Sequence, residues 1–196
     1  KELGPRNYFI RECCCPTQWQ PMGWAAMCER AGIDLRDRST MHVKDMKKGE
    51  EIIFHKVPKG VVFSEIGYQA PMNQKGSCLI NIAKLKSHGM GITTSIKNLQ
   101  GITAKRFHQF CTRYDAIRRQ YEPDYHKYFQ KDFEKKIEEL YAKHVKEGYP
   151  RWDRPGPEGG IWQETWVNRA LDNLSCTPTA LNVVEGVYSQ DGNGFG

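Results

Sequence analysis

The chain has 196 residues, a formal net charge of +6, 39% hydrophobic and 27% charged residues, a composition that suits one globular domain with its own core. No apolar run approaches the length of a membrane-spanning helix, and neither an Arg-rich tract nor a zinc-finger spacing accompanies the positive charge. The composition therefore argues against a membrane span in this segment and against nucleic acid, and the positive charge agrees with an acidic small molecule, another polyanion or simply good solubility.

The first third of the chain predicts short elements separated by turns. A strand is predicted at residues 8–10 and a helix at 22–30, which Gly32 ends. Two further strands are predicted at 51–55 and 61–63, on either side of a Pro-Lys-Gly turn.

Three consecutive cysteines precede the first predicted helix. In an extended chain Cys13 and Cys15 point to the same side, so that these two and Cys28 offer ligands for zinc or an iron–sulfur cluster. A disulfide among them and thiols without a ligand role are the other two interpretations. The total of seven cysteines argues against complete pairing, and Cys78 and Cys111 lie among apolar residues that predict a core position.

The most informative stretch follows residue 77. An apolar run at 78–83 predicts a buried strand, and a basic loop is predicted after it. Threonines then offer N-cap oxygens to a short helix that carries a lysine in its first turn. Such a strand-to-helix turn is where α/β sheets bind ligands, so an anionic small molecule or cofactor is the predicted ligand, and a solvated basic surface is the alternative. The candidate binding residues are Lys84, Lys86, Thr93, Thr94, Lys97, Asn98 and Asp191, and the candidate catalytic residues are His88 and Glu185.

The second half of the chain predicts two amphipathic helices and a final strand. Apolar residues recur at helical spacing over 124–147, and again over 161–174, where Trp162, Trp166, Ala170 and Leu174 share one face. The final strand is predicted at 181–188. Because helices fill the connection between the strands at 78–83 and 181–188, the two strands are predicted to be parallel.

The basic stretch also carries a family resemblance. The sequences Lys-Leu-Lys-Ser-His at 84–88 and Ile-Thr-Thr-Ser-Ile-Lys-Asn-Leu-Gln-Gly at 92–101 resemble the central motif of the domain-of-unknown-function family 362. Residues 181–187 with Asp-Gly-Asn-Gly at 191–194 resemble a second family segment, and residues 24–32 a third. Ala83 stands where the family usually has Pro, and Glu185 where it usually has Asp.

The resemblance implies several properties that the residues alone do not. Some members carry ferredoxin-like iron–sulfur modules, and many are exported by twin-arginine signals, which implies an extracytoplasmic location in a bacterium. Members usually continue in both directions. This chain begins with Lys1 rather than Met and stops directly after a motif, so we expect it to be a fragment of a longer protein.

These observations predict a single α/β domain over 1–196, with a mostly parallel sheet, flanking helices and a helical insertion at about 105–160. Three function classes stay open, and they leave undecided whether the protein is an enzyme. The first is a site for an anionic small molecule, the second a redox protein that uses Cys13 to Cys15 and Cys28, and the third a structural subunit that contacts a protein partner or the rest of its own chain.

Overall fold

The computed structural model describes residues 7–11, 19–36, 43–88, 91–104, 107, 125–149 and 157–190. Two compact units make up the chain. The first comprises Lys1–Ile53, Gly67–Ser77 and Gly101–His108, and the second comprises Phe54–Ile66, Cys78–Gln100 and Gln109–Gly196. The single-domain organisation with an insertion at 105–160 stays a prediction.

The first unit opens with a strand, a helix and a strand. Strand β1 (Phe9–Arg11) pairs in parallel with β2 (Asp34–Arg36), and helix α1 (Trp24–Arg30) connects them. Gly32 adopts a φ of 64°, the left-handed conformation that commonly ends a helix, as the sequence predicts. The strand β2 was not expected from the sequence.

The core of the first unit is tightly packed around one glycine. A Cβ atom on Gly67 would lie 2.6 Å from Ile52 Cδ1 and 2.8 Å from Phe107 Cε2. Tyr68 beside it is fully buried and forms a bridge with Thr103. The glycine therefore allows the side chains of Ile52 and Phe107 to pack directly against the backbone at this position.

Strands β3 (Ile52–Lys56) and β4 (Glu65–Gln69) form a two-stranded sheet. The prediction of a strand at 61–63 is wrong, since the second strand begins at Glu65. The backbone N–H groups of residues 61–63 donate instead to the carboxylate of Asp172, at 2.9, 2.8 and 2.7 Å. An acceptor more than 100 residues away in the sequence thus takes donors that a strand ladder would need.

The main sheet belongs to the second unit and has three strands. They are β5 (Ile80–His88), β6 (Gly91–Thr93) and β7 (Leu181–Gln190), in the order β6-β5-β7. The parallel pairing of β5 with β7 is confirmed, whereas β6 runs antiparallel to β5. The fold is therefore a mixture of helices and strands with small sheets, of which this one combines a parallel and an antiparallel pair.

The remaining helices are α2 (Ser95–Asn98), α3 (Phe133–Lys146) and α4 (Pro157–Cys176). Short 3-10 turns span Val43–Asp45, Leu99–Ile102 and Tyr125–Lys127. Helix α3 begins later than the predicted residue 124. Phe129, ahead of it, bridges to Phe63 in an extended pairing, and its ring contacts Phe63 and Phe133 with centroids 5.1 and 5.2 Å apart. This aromatic cluster is part of the core of the second unit.

Helix α4 extends beyond its predicted bounds and buries a polar face. Leu174, which the sequence places on the same face as Ala170, is 38% exposed, while Ala170 is buried. Glu164 accepts hydrogen bonds from the side-chain amide of Asn168 at 2.8 Å, and its other oxygen lies 2.7 Å from His144 Nδ1 on α3. The polar side chains buried along α4 are Glu164, Thr165, Asn168, Arg169, Asp172 and Asn173.

No helix among the described residues is both long enough and apolar enough to span a membrane.

Candidate functional site

The basic residues after position 83 lie in a strand. The sequence placed Lys84, Lys86 and His88 in a loop, but β5 continues through all three. Their alternation with Leu85 and Ser87 is the period of a strand that is buried on one face only. Asn81 and Ala83 are buried and define the inner face of β5. Lys84, which alternates with them, is exposed on the opposite, outer face.

The parallel register brings one candidate pair together. Lys84 lies opposite Glu185 in the β5–β7 ladder, and its ammonium forms an ion pair with the Glu185 carboxylate. Beyond this point the register shifts. The next pair is Lys86 with Gln190, so four residues of β7 lie opposite one residue of β5. The extra residues form a bulge, in which Val187 and Tyr188 are 81% and 80% exposed.

The bulge also holds the carboxylate of Glu185. Its Oε1 accepts hydrogen bonds from the backbone N–H groups of Val187 at 2.8 Å and Tyr188 at 3.2 Å. The hydrogen bond from Lys84, together with these backbone donors, lowers the pKa of Glu185 below its ordinary value. The carboxylate is thus charged at neutral pH and neutralises Lys84.

The short helix α2 presents Lys97 to an aromatic ring. The Lys97 ammonium lies 5.9 Å from the ring centroid of Trp166 on α4, within the range of a cation–π contact. Thr94 is the N-cap of α2, as predicted, but its side chain makes no capping hydrogen bond. Thr93 belongs instead to β6, where it pairs with Lys86 across the sheet.

Asn98, at the end of α2, is joined to the sheet. Its side-chain amide donates to Asn81 Oδ1 at 2.8 Å and to the carbonyl oxygen of Ile82 at 2.9 Å. Asn81 in turn donates to Asn182 on β7 and to the carbonyl of Ser95. A chain of side-chain amides therefore connects β7, β5 and α2, the three elements that carry the candidate residues.

Several candidates lie outside the described residues. They include Cys13, Cys15 and Asp191. The backbone of His88 is described but its side chain is not, so the convergence of His88 with the lysines stays a prediction. Cys28 is a buried free thiol, and no group of three metal-ligating side chains occurs in the described parts of the chain. The iron–sulfur cluster and the catalytic roles also stay predictions.

Cys78 is exposed, so its predicted core position is wrong. It lies in the irregular segment before β5, and Cys111, for which a core position was also predicted, lies outside the described residues.

The sequence reasoning missed Asn81, Asn182 and Trp166. Asn81 is the one polar residue in the apolar run at 78–83, and that position is the signal that was available. Buried amides of this kind need partners of their own, which predicts a polar network. The partners themselves come from distant parts of the chain and cannot be identified from a local pattern.

Comparison with known proteins confirms the family resemblance. No curated protein and no solved structure matches the chain. The model of one family, described as a domain of unknown function, matches residues 1–195, which is essentially the whole sequence. The chain therefore belongs to the domain-of-unknown-function family DUF362.

Proposed function

We propose that this protein binds an anionic small molecule or cofactor beside the carboxyl-terminal part of β5. The observation that carries the proposal is the parallel pairing of β5 with β7, followed in sequence by β6 and α2. Ligands of α/β sheets bind outside the carboxyl ends of parallel strands. Lys84 and Lys86 lie on that part of β5, and Lys97 lies on the helix that follows.

The charges on these side chains assign them different roles. Lys84 is neutralised by Glu185 and contributes little to a net positive potential while that ion pair persists. Lys86 is partly buried in the strand, and Lys97 lies beside an indole ring. We assign the direct contacts with the anion to Lys86 and Lys97 from their positions on β5 and on the helix that follows it, and we assign to Lys84 a contact that forms only when its ion pair with Glu185 opens. His88, Thr93, Thr94 and Asp191 belong to the same proposed site by sequence.

Calorimetric titration at low salt tests this function with phosphate, pyrophosphate and citrate as probes. A hydrogen bond to a charged group contributes about 1.5–3 kcal/mol, so Lys86→Met and Lys97→Met should each weaken binding by roughly tenfold or more. Lys135→Met is the matched control, because Lys135 is an exposed lysine on α3 that faces Glu139. Absence of binding by the wild-type protein, or equal loss in the control, would reject the proposal.

A second function is favoured by the outer face of the sheet. Ile80, Ile82, Leu181 and Val183 are 53%, 67%, 52% and 40% exposed, and the register places them side by side on β5 and β7. Parallel strands are normally covered on both faces, so we propose that a protein partner or a further part of the same chain packs on this outer face. We also propose that β5 and β7 belong to a larger, mostly parallel sheet. Light scattering of the wild type and of Ile82→Asp tests self-association. A monomer in both cases would exclude a second copy as the partner.

A further inference from the structure

We propose that Asn98 is a positioning residue that fixes Lys97 for the anion, and that it does not bind the anion itself. This inference rests on the proposed function. Asn98 follows Lys97 directly on a helix of only four residues, which has little stability of its own. The position of the Lys97 side chain therefore depends on what attaches α2 to the sheet.

Both N–H groups of the Asn98 amide are used within the protein. They donate to Asn81 Oδ1 on β5 at 2.8 Å and to the carbonyl of Ile82 at 2.9 Å. What remains of the amide is its carbonyl oxygen, which only accepts hydrogen bonds. An acceptor offers nothing to an anion, so a direct contact with the proposed ligand would require these bonds to break.

The partner of Asn98 is itself fixed by a directional chain of hydrogen bonds. Asn81, which is 4% exposed, donates through Nδ2 to the Ser95 carbonyl at 2.9 Å and to Asn182 Oδ1 at 2.8 Å. Asn182 then donates to Thr179 Oγ1 at 2.7 Å. Since every donor of Asn81 has an acceptor and its oxygen accepts from Asn98, the amide has one orientation that satisfies all its partners.

This chain of amides acts on both ends of α2. The bond from Asn81 to the Ser95 carbonyl holds the first turn, and the bonds from Asn98 hold the last residue. Lys97 lies between these two attachments, with its ammonium over Trp166. The geometry thus couples the amide network to the placement of one ammonium group, which lowers the ordering cost when a ligand binds.

Fluorine NMR of protein labelled with 5-fluorotryptophan tests the coupling without any ligand. The chain has five tryptophans, and Trp166→Phe identifies the resonance of Trp166. Lys97→Met should shift this resonance because it removes the cation from the ring. Asn98→Ala should shift it in the same direction, and it should add no further shift when Lys97 is already Met.

Two further variants keep the result interpretable. Ile96→Ala is the matched control, because it truncates an exposed side chain of the same helix that is 43% accessible. It should leave the Trp166 resonance in place. If Asn98→Ala does not fold by circular dichroism, Asn98→Ser replaces it, since the hydroxyl is a milder change that removes at least one of the two donors and adds no charge beside Lys97.

The binding measurement completes the test with pyrophosphate as the probe. Asn98→Ala should weaken binding severalfold in the wild type and leave it unchanged in the Lys97→Met background. An unshifted Trp166 resonance in Asn98→Ala, or an equal effect in both backgrounds, would overturn the inference. Failure of the wild type to bind any anion would reject the proposed function alone, because the fluorine shifts would still decide the role of Asn98.

Discussion

Glu185 is the residue whose substitution separates a binding site from a structural ion pair. Its carboxylate forms an ion pair with the ammonium of Lys84 and is held in place by a backbone N–H group of the bulge. An external anion therefore competes with an internal one for Lys84. The pKa of Glu185 is lowered by Lys84 and by backbone donors, so this competition persists at neutral pH.

Glu185→Gln should strengthen the binding of pyrophosphate. Glutamine keeps an acceptor for the N–H groups of Val187 and Tyr188 but no longer neutralises Lys84. Because solvent screens an exposed ion pair, the expected gain in affinity is small, roughly twofold to fivefold. Lys84→Met should weaken binding, because the Glu185 carboxylate is then left uncompensated, and the double variant Lys84→Met/Glu185→Gln should bind about as the wild type does. A lower affinity for Glu185→Gln in calorimetric titration would indicate that Glu185 contacts the ligand.

Asp172 is a residue with a structural role that its sequence context does not reveal. Its buried carboxylate accepts hydrogen bonds from the backbone N–H groups of residues 61–63 and attaches α4 to that segment. Burial raises the pKa of Asp172, although the three N–H donors act in the opposite direction. The folded protein thus retains a proton on this group to a higher pH than the unfolded chain.

Asp172→Ala should destabilise the protein because buried N–H groups lose their acceptor. The expected loss is roughly 2 kcal/mol at pH 7 in urea denaturation. Since the pKa is raised on folding, the difference from the wild type should be largest below the ordinary value of 3.8 and should decrease as the pH rises. Leu171→Ala, at an exposed neighbouring position, is the control. A loss no larger than that of the control would refute this role.

At the scale of elements, the β1–β2 pair provides the opposite pH dependence. Asp34 forms ion pairs with the buried Arg11 at 3.0 Å and the exposed Arg36 at 2.6 Å. Burial opposes ionisation of Asp34, but the hydrogen bonds and charges of Arg36 and Arg11 outweigh it and lower its pKa below 3.8. The carboxylate therefore stabilises the strand pair when it is charged.

Asp34→Asn should lower the melting temperature at neutral pH. Because the pKa is lowered on folding, the stability that Asp34 contributes is complete above about pH 4 to 5 and is lost as the pH falls through the folded-state pKa. The melting temperatures of the wild type and the variant should therefore approach each other near pH 2. A constant difference between pH 7 and pH 2 would contradict the assignment.

Elements defined by local periodicity could be predicted from the sequence, whereas those defined by distant partners could not. The strand β7, the helix α4 and the parallel pairing of β5 with β7 follow from apolar runs and from the helices between them. Residues 61–63 have the composition of a strand, yet their donors bond to Asp172. The lysines of β5 resemble a loop in sequence because the outer face of that strand is exposed.

The candidate site divides in the same way. The residue types near strand ends predict that Lys84, Lys97 and Glu185 belong to the site, and this stays a prediction. The sequence assigned Asn98 to the ligand, although the amide of this residue is bonded to Asn81, which lies 17 positions earlier in the sequence. The partners of Lys84 and Lys97, namely Glu185 and Trp166, come from β7 and α4. Tertiary pairing, which local patterns do not encode, decides which candidates are accessible to a ligand.

At the scale of the whole molecule, the second unit combines a network of satisfied amides with an apolar outer face. The inner face of β5 and β7 is joined to α2 by Asn81, Asn98 and Asn182. The outer face leaves Ile82 and Leu181 largely exposed. This asymmetry agrees with the proposed site near the end of the sheet and with the proposed layer over its outer face.

The central claim is that Lys86 and Lys97 bind the anion while Lys84 remains paired with Glu185. Reductive methylation with carbon-13 gives each lysine a methyl resonance, which substitution to arginine assigns. During titration with pyrophosphate, the resonances of Lys86 and Lys97 should shift and saturate with the same dissociation constant, and that of Lys84 should follow only in Glu185→Gln. Small shifts of all lysines that grow linearly with pyrophosphate concentration would contradict the claim.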